Sequence, residues 1–250
     1  MPGSTTIGPN DLSKLHLERL VQVSKRQKGI QLPVPFVRAA NGVPPLVRFI
    51  RGGHGGEVRL KLYLTVTLLA TKAPYEITRE IAGRTWAEML GLPNPDINGA
   101  RRITDALAWL HRERFLEVQR RSGRPPTLRM LDPTGDGTPY RRPTMPYITL
   151  PVGYWDEQWI TVLSGIGTAL LIVLLDLVGG RRRDPSQSLS AAERTRYGLS
   201  ADSWTRATKE LRDHGIINAT REVGSSGLEW RRVRNVYSVN SAQLNHPPAP

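Results

Sequence analysis

Apolar positions along the chain fall mostly at helical spacing, interrupted by clusters of Pro, Gly and small polar residues that signal turns. Residues 1–10 carry no period and read as an unstructured start. Asp11 to Lys28 is expected to be a helix, with Leu12, Leu15, Leu20, Val21 and Val23 as an imperfect apolar stripe. The Pro-containing stretch QLPVPFVRAANGVPP follows. Leu46 to Ile50 then reads as a short strand running into the glycine cluster RGGHGGE. From Glu57 the run RLKLYLTVTLLAT is helical as far as Pro74. A short helix is expected over Thr85–Leu90, closed by Gly91 and the turn LPNPD. A longer one over Asn98–Arg114 carries Ile103, Leu107 and Leu110 on one face. FLEVQRRSGRPPTLRML after it reads as strand, basic turn, strand.

Asp132 to Pro146, DPTGDGTPYRRPTMP, has the composition of a linker, and beyond it the order repeats. The strand-like YITLP leads to a long apolar helix, then to a short helix around Ala191–Tyr197 and a turn at Gly198–Leu199. A helix from Ser200 to His214 and a hairpin over Ile216–Asn240 complete the series, and AQLNHPPAP reads as a loose tail. Shifted by 101 positions, Ala106 falls on Ala207, Leu110 on Leu211, and Phe115–Leu116 on Ile216–Ile217. One supersecondary unit is used twice.

The apolar run Trp159–Gly180, WITVLSGIGTALLIVLLDLVGG, has a competing explanation. Its length, its aromatic start and the basic flank Arg181, Arg182 and Arg183 suit a membrane-spanning helix. Asp176 lies within it, however, and Thr161, Ser164, Gly165, Gly167 and Thr168 interrupt it. A buried core helix gives the same run, and the helix-turn-helix pattern that follows needs such a helix in front of it. The core reading is therefore preferred, with the glycines of the GIG segment allowing close packing.

Residues 199–217, LSADSWTRATKELRDHGII, carry the chemistry. Ser200 suits an N-cap, where its oxygen can accept from a free backbone N–H. Trp204, Thr208 and Leu211 are expected to seal the helix against the core, and Gly215 suits the left-handed exit. Asp202, Ser203, Thr205, Arg206 and Lys209 fall on the opposite face. This segment resembles the turn and recognition helix of winged helix-turn-helix proteins, and the resemblance covers each half separately. It implies that the polar face meets the major groove of DNA, where Arg can pair with guanine and Ser or Thr can reach bases or phosphates.

The first copy, NGARRITDALAWLHRERFL, presents Arg101, Arg102, Thr104, Asp105 and Ala108. Asp105 stands where the second copy has Arg206, and a carboxylate there repels phosphate unless it reads cytosine. Arg120, Arg121, Arg124 and Arg129 flank the first hairpin, and Arg221, Arg231, Arg232 and Arg234 the second. Basic wings of this kind track the DNA backbone or enter the minor groove.

Charge changes the picture in one direction. Of 35 basic residues 29 are Arg, and the net charge is +13, with +5 in residues 1–50, +6 in 51–145 and +2 in the remainder. Such an excess favours polyanionic partners. The absence of Cys excludes disulfides and thiolate metal sites. The N-terminus MPGSTTIGPND has neither the basic nor the apolar region of a signal peptide. His16, His54, His111, His214 and His246 stand in no metal-ligand spacing, RGGHGGE lacks the ending of a phosphate loop, and no serine is framed as GxSxG.

The expected fold is α+β and mostly helical, with two tandem winged-helix units at 46–132 and 146–240. An N-terminal helical extension occupies 1–45, a linker 133–145 and a tail 241–250. The layout resembles plasmid replication initiator proteins. The expected role is non-enzymatic, sequence-specific binding of double-stranded DNA in replication initiation or partition, in the cytoplasm at the nucleoid. No cofactor, metal or small-molecule substrate is expected, and a homodimer through the 11–28 helix is left open. A transcriptional regulator using the same surface, or a winged-helix module that binds protein, would read the same way.

Overall fold

The computed structural model describes residues 9–39, 42–51, 55–179, 186–189, 191–224 and 232–248. About half of the chain is helical, and the strands form three small sheets. Two buried helices organise the rest, α4 (Gly56–Leu69) and α9 (Gly165–Gly179), which pack on each other. Lys61 is the only charged side chain buried in α4, among Leu60, Leu62, Leu64, Val66 and Leu68.

The chain begins with α1 (Pro9–Ser24), β1 (Gly29–Pro33), α2 (Val34–Val37) and α3 (Pro45–Ile50). After α4 come β2 (Glu76–Ile77), α5 (Gly83–Met89), α6 (Ala100–Arg112), β3 (Leu116–Arg121) and β4 (Arg124–Met130). The second half runs β5 (Tyr147–Pro151), α7 (Gly153–Asp156), α8 (Trp159–Val162), α9, β6 (Ser186–Ser188), α10 (Ala191–Tyr197), α11 (Ala201–Asp213), β7 (Ile217–Gly224) and β8 (Arg232–Val239). From α4 and from α9 the order is the same: buried helix, short strand, two helices, two strands. The sheets match as well, with strand order β2-β4-β3 in one half and β6-β8-β7 in the other, all antiparallel.

The repeat holds at the level of single hydrogen bonds. The N–H of Phe115 donates to the carbonyl of Leu110 at 2.9 Å, and Ile216 donates to Leu211 at the same distance, 101 residues on. The residues between them, Arg114 and Gly215, both turn left-handed, at φ 62° and 68°. Leu131 donates to Phe115, and Asn240 to Ile216, where each hairpin returns. Leu110 and Leu211 are both fully buried. Burial of a leucine side chain stabilises by about 1.5–3 kcal/mol.

Several local expectations change in the tertiary structure. Residues 46–50 are helical, because Pro45 fixes the φ of the first helical position after the extended cap Pro44, and Leu46, Val47 and Phe49 are all buried. The helix expected at 11–28 stops at Ser24, where Lys25 turns left-handed at φ 54°. Its buried side is Ser13, Leu17, Leu20 and Ser24, and Leu15 is 56% exposed. The described part of the apolar run, Trp159–Gly179, is two helices. Leu163 is extended, at φ −69° and ψ 137°, because the chain must bend there for α9 to lie along α4. Among the described residues no helix is long and apolar enough to cross a membrane. Asp176 within the run is held by Arg38 at 3.2 Å and by the hydroxyl of Tyr197 at 2.9 Å, and burial raises its pKa.

The N-terminal stretch is woven into both halves. β1 pairs antiparallel with β5, Gly29 facing Pro151 and Pro33 facing Tyr147. Arg26 donates from Nε to the Leu68 carbonyl (2.8 Å) and from Nη2 to those of Thr67 and Ala70 (3.0 Å each), closing the C-terminus of α4. The expected linker also packs down, with Tyr140 buried against Tyr75 and Leu131 bridged to Pro139. Residues 241–245, expected to be loose, form a short 3-10 turn with Leu244 buried, while the His246 carbonyl accepts from the Trp159 indole. One continuous apolar core results, and it includes the mutually packed aromatic group Phe36, Phe49, Tyr63, Trp109 and Phe115.

Candidate nucleic-acid interface

α6 is strongly two-sided, and its local sequence explains why. Asn94, left-handed at φ 48°, and a π-type turn over Pro95–Gly99 start it. Gly99 lets it cross close to α5, since a methyl there would lie 2.8 Å from the Ala87 Cβ. Ile103, Ala106, Leu107, Trp109 and Leu110 are buried. Arg101, Thr104, Asp105 and Ala108 are exposed, and Arg102 is half-buried. The ring of His111 ties the helix to the hairpin, its Nδ1 lying 3.3 Å from both the Leu116 carbonyl and the Val118 N–H.

Arg120, Arg121 and Arg124 stand exposed around the β3–β4 turn, where Gly123 takes φ 68°. A cleft of about 470 Å³ separates this hairpin from α6. Ile81, Val118 and Pro126 contribute apolar surface, and Thr104, Ala108 and the three arginines line it. Among the described residues, no carboxylate lies within 4.0 Å of Arg101, Arg102, Arg120 or Arg121. Arg124 has only Glu80, at 3.6 Å. Arg129 does not belong with this group. It bonds Glu117 across the β3–β4 ladder at 3.2 Å and lies 3.6 Å from Glu76 on β2, so it ties three strands together.

α11 occupies the equivalent place in the second half. Ser200 caps it, accepting from the Ser203 N–H at 3.1 Å, as its sequence position suggested. The Ser203 hydroxyl is itself engaged with Ser200 at 2.9 Å. Trp204, Ala207 and Leu211 form the buried side, with Ala207 in the place expected for Thr208. The Trp204 indole donates to the Tyr237 hydroxyl at 2.8 Å, anchoring the helix to β8.

The exposed faces of α6 and α11 differ in charge. Thr104 and Thr205, 101 residues apart, do the same thing, each hydroxyl bonding the carbonyl four residues earlier (3.0 and 2.9 Å). Arg206, however, pairs with Asp202 at 2.9 Å, and Lys209 with Asp213. Arg101 stands where α11 has Asp202, and Arg102 where it has Ser203. Among the described residues, Arg101 and Arg102 of α6 thus have no carboxylate partner, while Arg206 and Lys209 of α11 are matched on their own helix. Arg231 and the side chains of Arg221, Arg232 and Arg234 lie outside the described residues. His54 of the glycine cluster does so too.

Sequence reasoning missed a polar cluster beside these helices. Glu210 on α11 accepts from the N–H and the hydroxyl of Ser164 at 2.6 Å each, at the start of α9. Glu57 on α4 accepts from the Gly165 N–H at 3.2 Å and from Lys61 at 2.7 Å. The one available signal was Lys61, a charge set between leucines in an apolar helical run. Among the described residues no three His, Asp or Glu side chains come together as a metal site. No protein family, curated protein or solved structure matches this chain.

Proposed function

We propose that this chain is a sequence-specific double-stranded-DNA-binding protein made of two winged-helix units in tandem, serving replication initiation or partition of a plasmid or mobile element. The observation that carries the reading is the repeated order of helices and strands, joined in the first half to a two-sided helix and a basic hairpin. α6 would lie in the major groove, with Arg101 and Arg102 on phosphate or guanine. Arg120, Arg121 and Arg124 would follow the adjacent backbone. Affinity would come mainly from phosphate contacts and so fall steeply with salt. The test is a salt titration on random genomic duplex, with bound fragments recovered and sequenced. Enrichment of a repeated site, lost in Arg101→Ala and Arg120→Ala variants, is expected. Its position in an origin or a promoter separates initiation from transcriptional regulation. No binding at low salt would sink the reading.

A second reading applies to the second unit alone. Because the exposed charges of α11 are paired with each other, that face is less committed to a polyanion and suits a protein partner. Wild-type DNA affinity in an Arg206→Ala, Lys209→Ala double variant would favour it.

A further inference from the structure

We propose that Glu210 is a positioning residue that holds α6 and α11 in one fixed relation. One chain then takes as its partner a composite duplex site whose two half-sites stand at a single helical phase; this rests on the DNA-binding reading above. Glu210 belongs to α11, yet its carboxylate is spent on the first turn of α9 through Ser164. The same turn receives Glu57 from α4. Lys61, whose side chain is 3% exposed, bonds Glu57, and α4, which carries both, packs against α6 as well as α9. Glu210 of α11 and Glu57 of α4 therefore meet at one turn of chain, the start of α9, and α6 packs on the same α4.

The seam leaves no slack. A methyl on Gly165 would sit 2.8 Å from the Glu57 Cα, and one on Gly167 would sit 2.5 Å from a Glu210 carboxylate oxygen. The apolar core runs unbroken through α4 and α9. Removing the Glu210 carboxylate leaves the N–H and hydroxyl of Ser164 without their part-buried acceptor. Two reading helices on one rigid body can meet two half-sites only at one separation. Inserting about five base pairs, half a turn of duplex, rotates one half-site to the far side.

The experiment has two arms, both on the full chain. In the first, about five base pairs are inserted between the half-sites of the enriched duplex. Wild-type protein should lose at least about tenfold in affinity, and Glu210→Gln and Gly167→Ala less than about threefold. The second arm needs no DNA. Because the chain has no cysteine, nitroxide labels go only to Arg112→Cys and Asp213→Cys, equivalent positions at the ends of the two helices. Pulsed spin-resonance distances should be narrowly distributed, and should broaden when Glu210→Gln or Gly167→Ala is added while far-ultraviolet circular dichroism is unchanged. Gly167→Ala displaces the same carboxylate from the other side and decides the matter where Glu210→Gln does not fold. A broad distribution in the parent, no broadening in the folded variants, or wild-type tolerance of the insertion would overturn the proposal. Absence of any DNA binding would defeat the DNA reading itself, and the label distances would still decide whether Glu210 holds the helices.

Discussion

Arg206 stands 2.9 Å from Asp202 on the same face of α11, so this exposed cation already has a carboxylate one turn away. Exposed pairs of this spacing are weak and screened by salt, and a phosphate can displace the carboxylate. Asp202 would still repel that phosphate. Asp202→Asn is therefore expected to tighten duplex binding several-fold at low salt if α11 touches DNA, with the gain fading as salt rises. Fluorescence anisotropy on a labelled duplex reads this directly. Unchanged affinity would remove α11 from the interface.

The exposed cations of α6 and the β3–β4 hairpin should carry salt dependence if they meet DNA. Arg101, Arg120 and Arg121 have no carboxylate within 4.0 Å among the described residues, so each is available to neutralise a phosphate. Each one changed to Ala should reduce the slope of log K against log salt by about 0.9. Arg129→Ala should leave the slope nearly unchanged and lower stability instead, because its charge is spent on Glu117 and Glu76. Equal slopes for all four variants would mean that the cleft beside α6 is not where DNA lies.

Arg26 has a structural task that can be measured without a ligand. Its guanidinium bonds three carbonyls at the C-terminus of α4. Arg26→Met should cost about 2–4 kcal/mol in urea unfolding, since carbonyls half-buried at a helix end lose charged donors. Arg19→Met, on the exposed side of α1, should stay within about 0.5 kcal/mol.

Burial raises the phenol pKa of Tyr63, Tyr154 and Tyr197, and pushes that of Tyr140 up to about 12. A phenol held neutral in the fold ionises first in the unfolded chain, near pH 10. The stability it contributes is therefore complete below pH 10 and is lost as pH rises toward the folded-state values. The protein should unfold cooperatively in the alkaline range, with tyrosinate absorbance appearing together with loss of helical circular dichroism. Tyrosinate absorbance exceeding what the other three of the seven tyrosines can supply, formed while the helices persisted, would contradict the burial of these rings.

Periodicity and turn chemistry alone made the repeat legible. Ala106 and Ala207, Leu110 and Leu211, and the residue pairs that open each hairpin are local features, and helices α6 and α11 form where their apolar spacing places them. Ser200 announced its cap for the same reason, since an N-cap acts on residues two or three further along. The basic hairpin turn was also visible, because its arginines are adjacent in the chain. Residues 46–50 were ambiguous, as a five-residue apolar run fits a strand or a helix until its neighbours are known. β1 was hidden because its partner β5 lies more than a hundred residues away. Whether a cation is available, as at Arg101, or committed, as at Arg129, depends on carboxylates brought near by the fold. The same holds for Glu210, which looks like an ordinary helix surface residue until α9 arrives beside it. Local period and capping determined the repeated units; only tertiary packing decided how they join and which charges remain free, because pairing between distant residues leaves no period in the sequence.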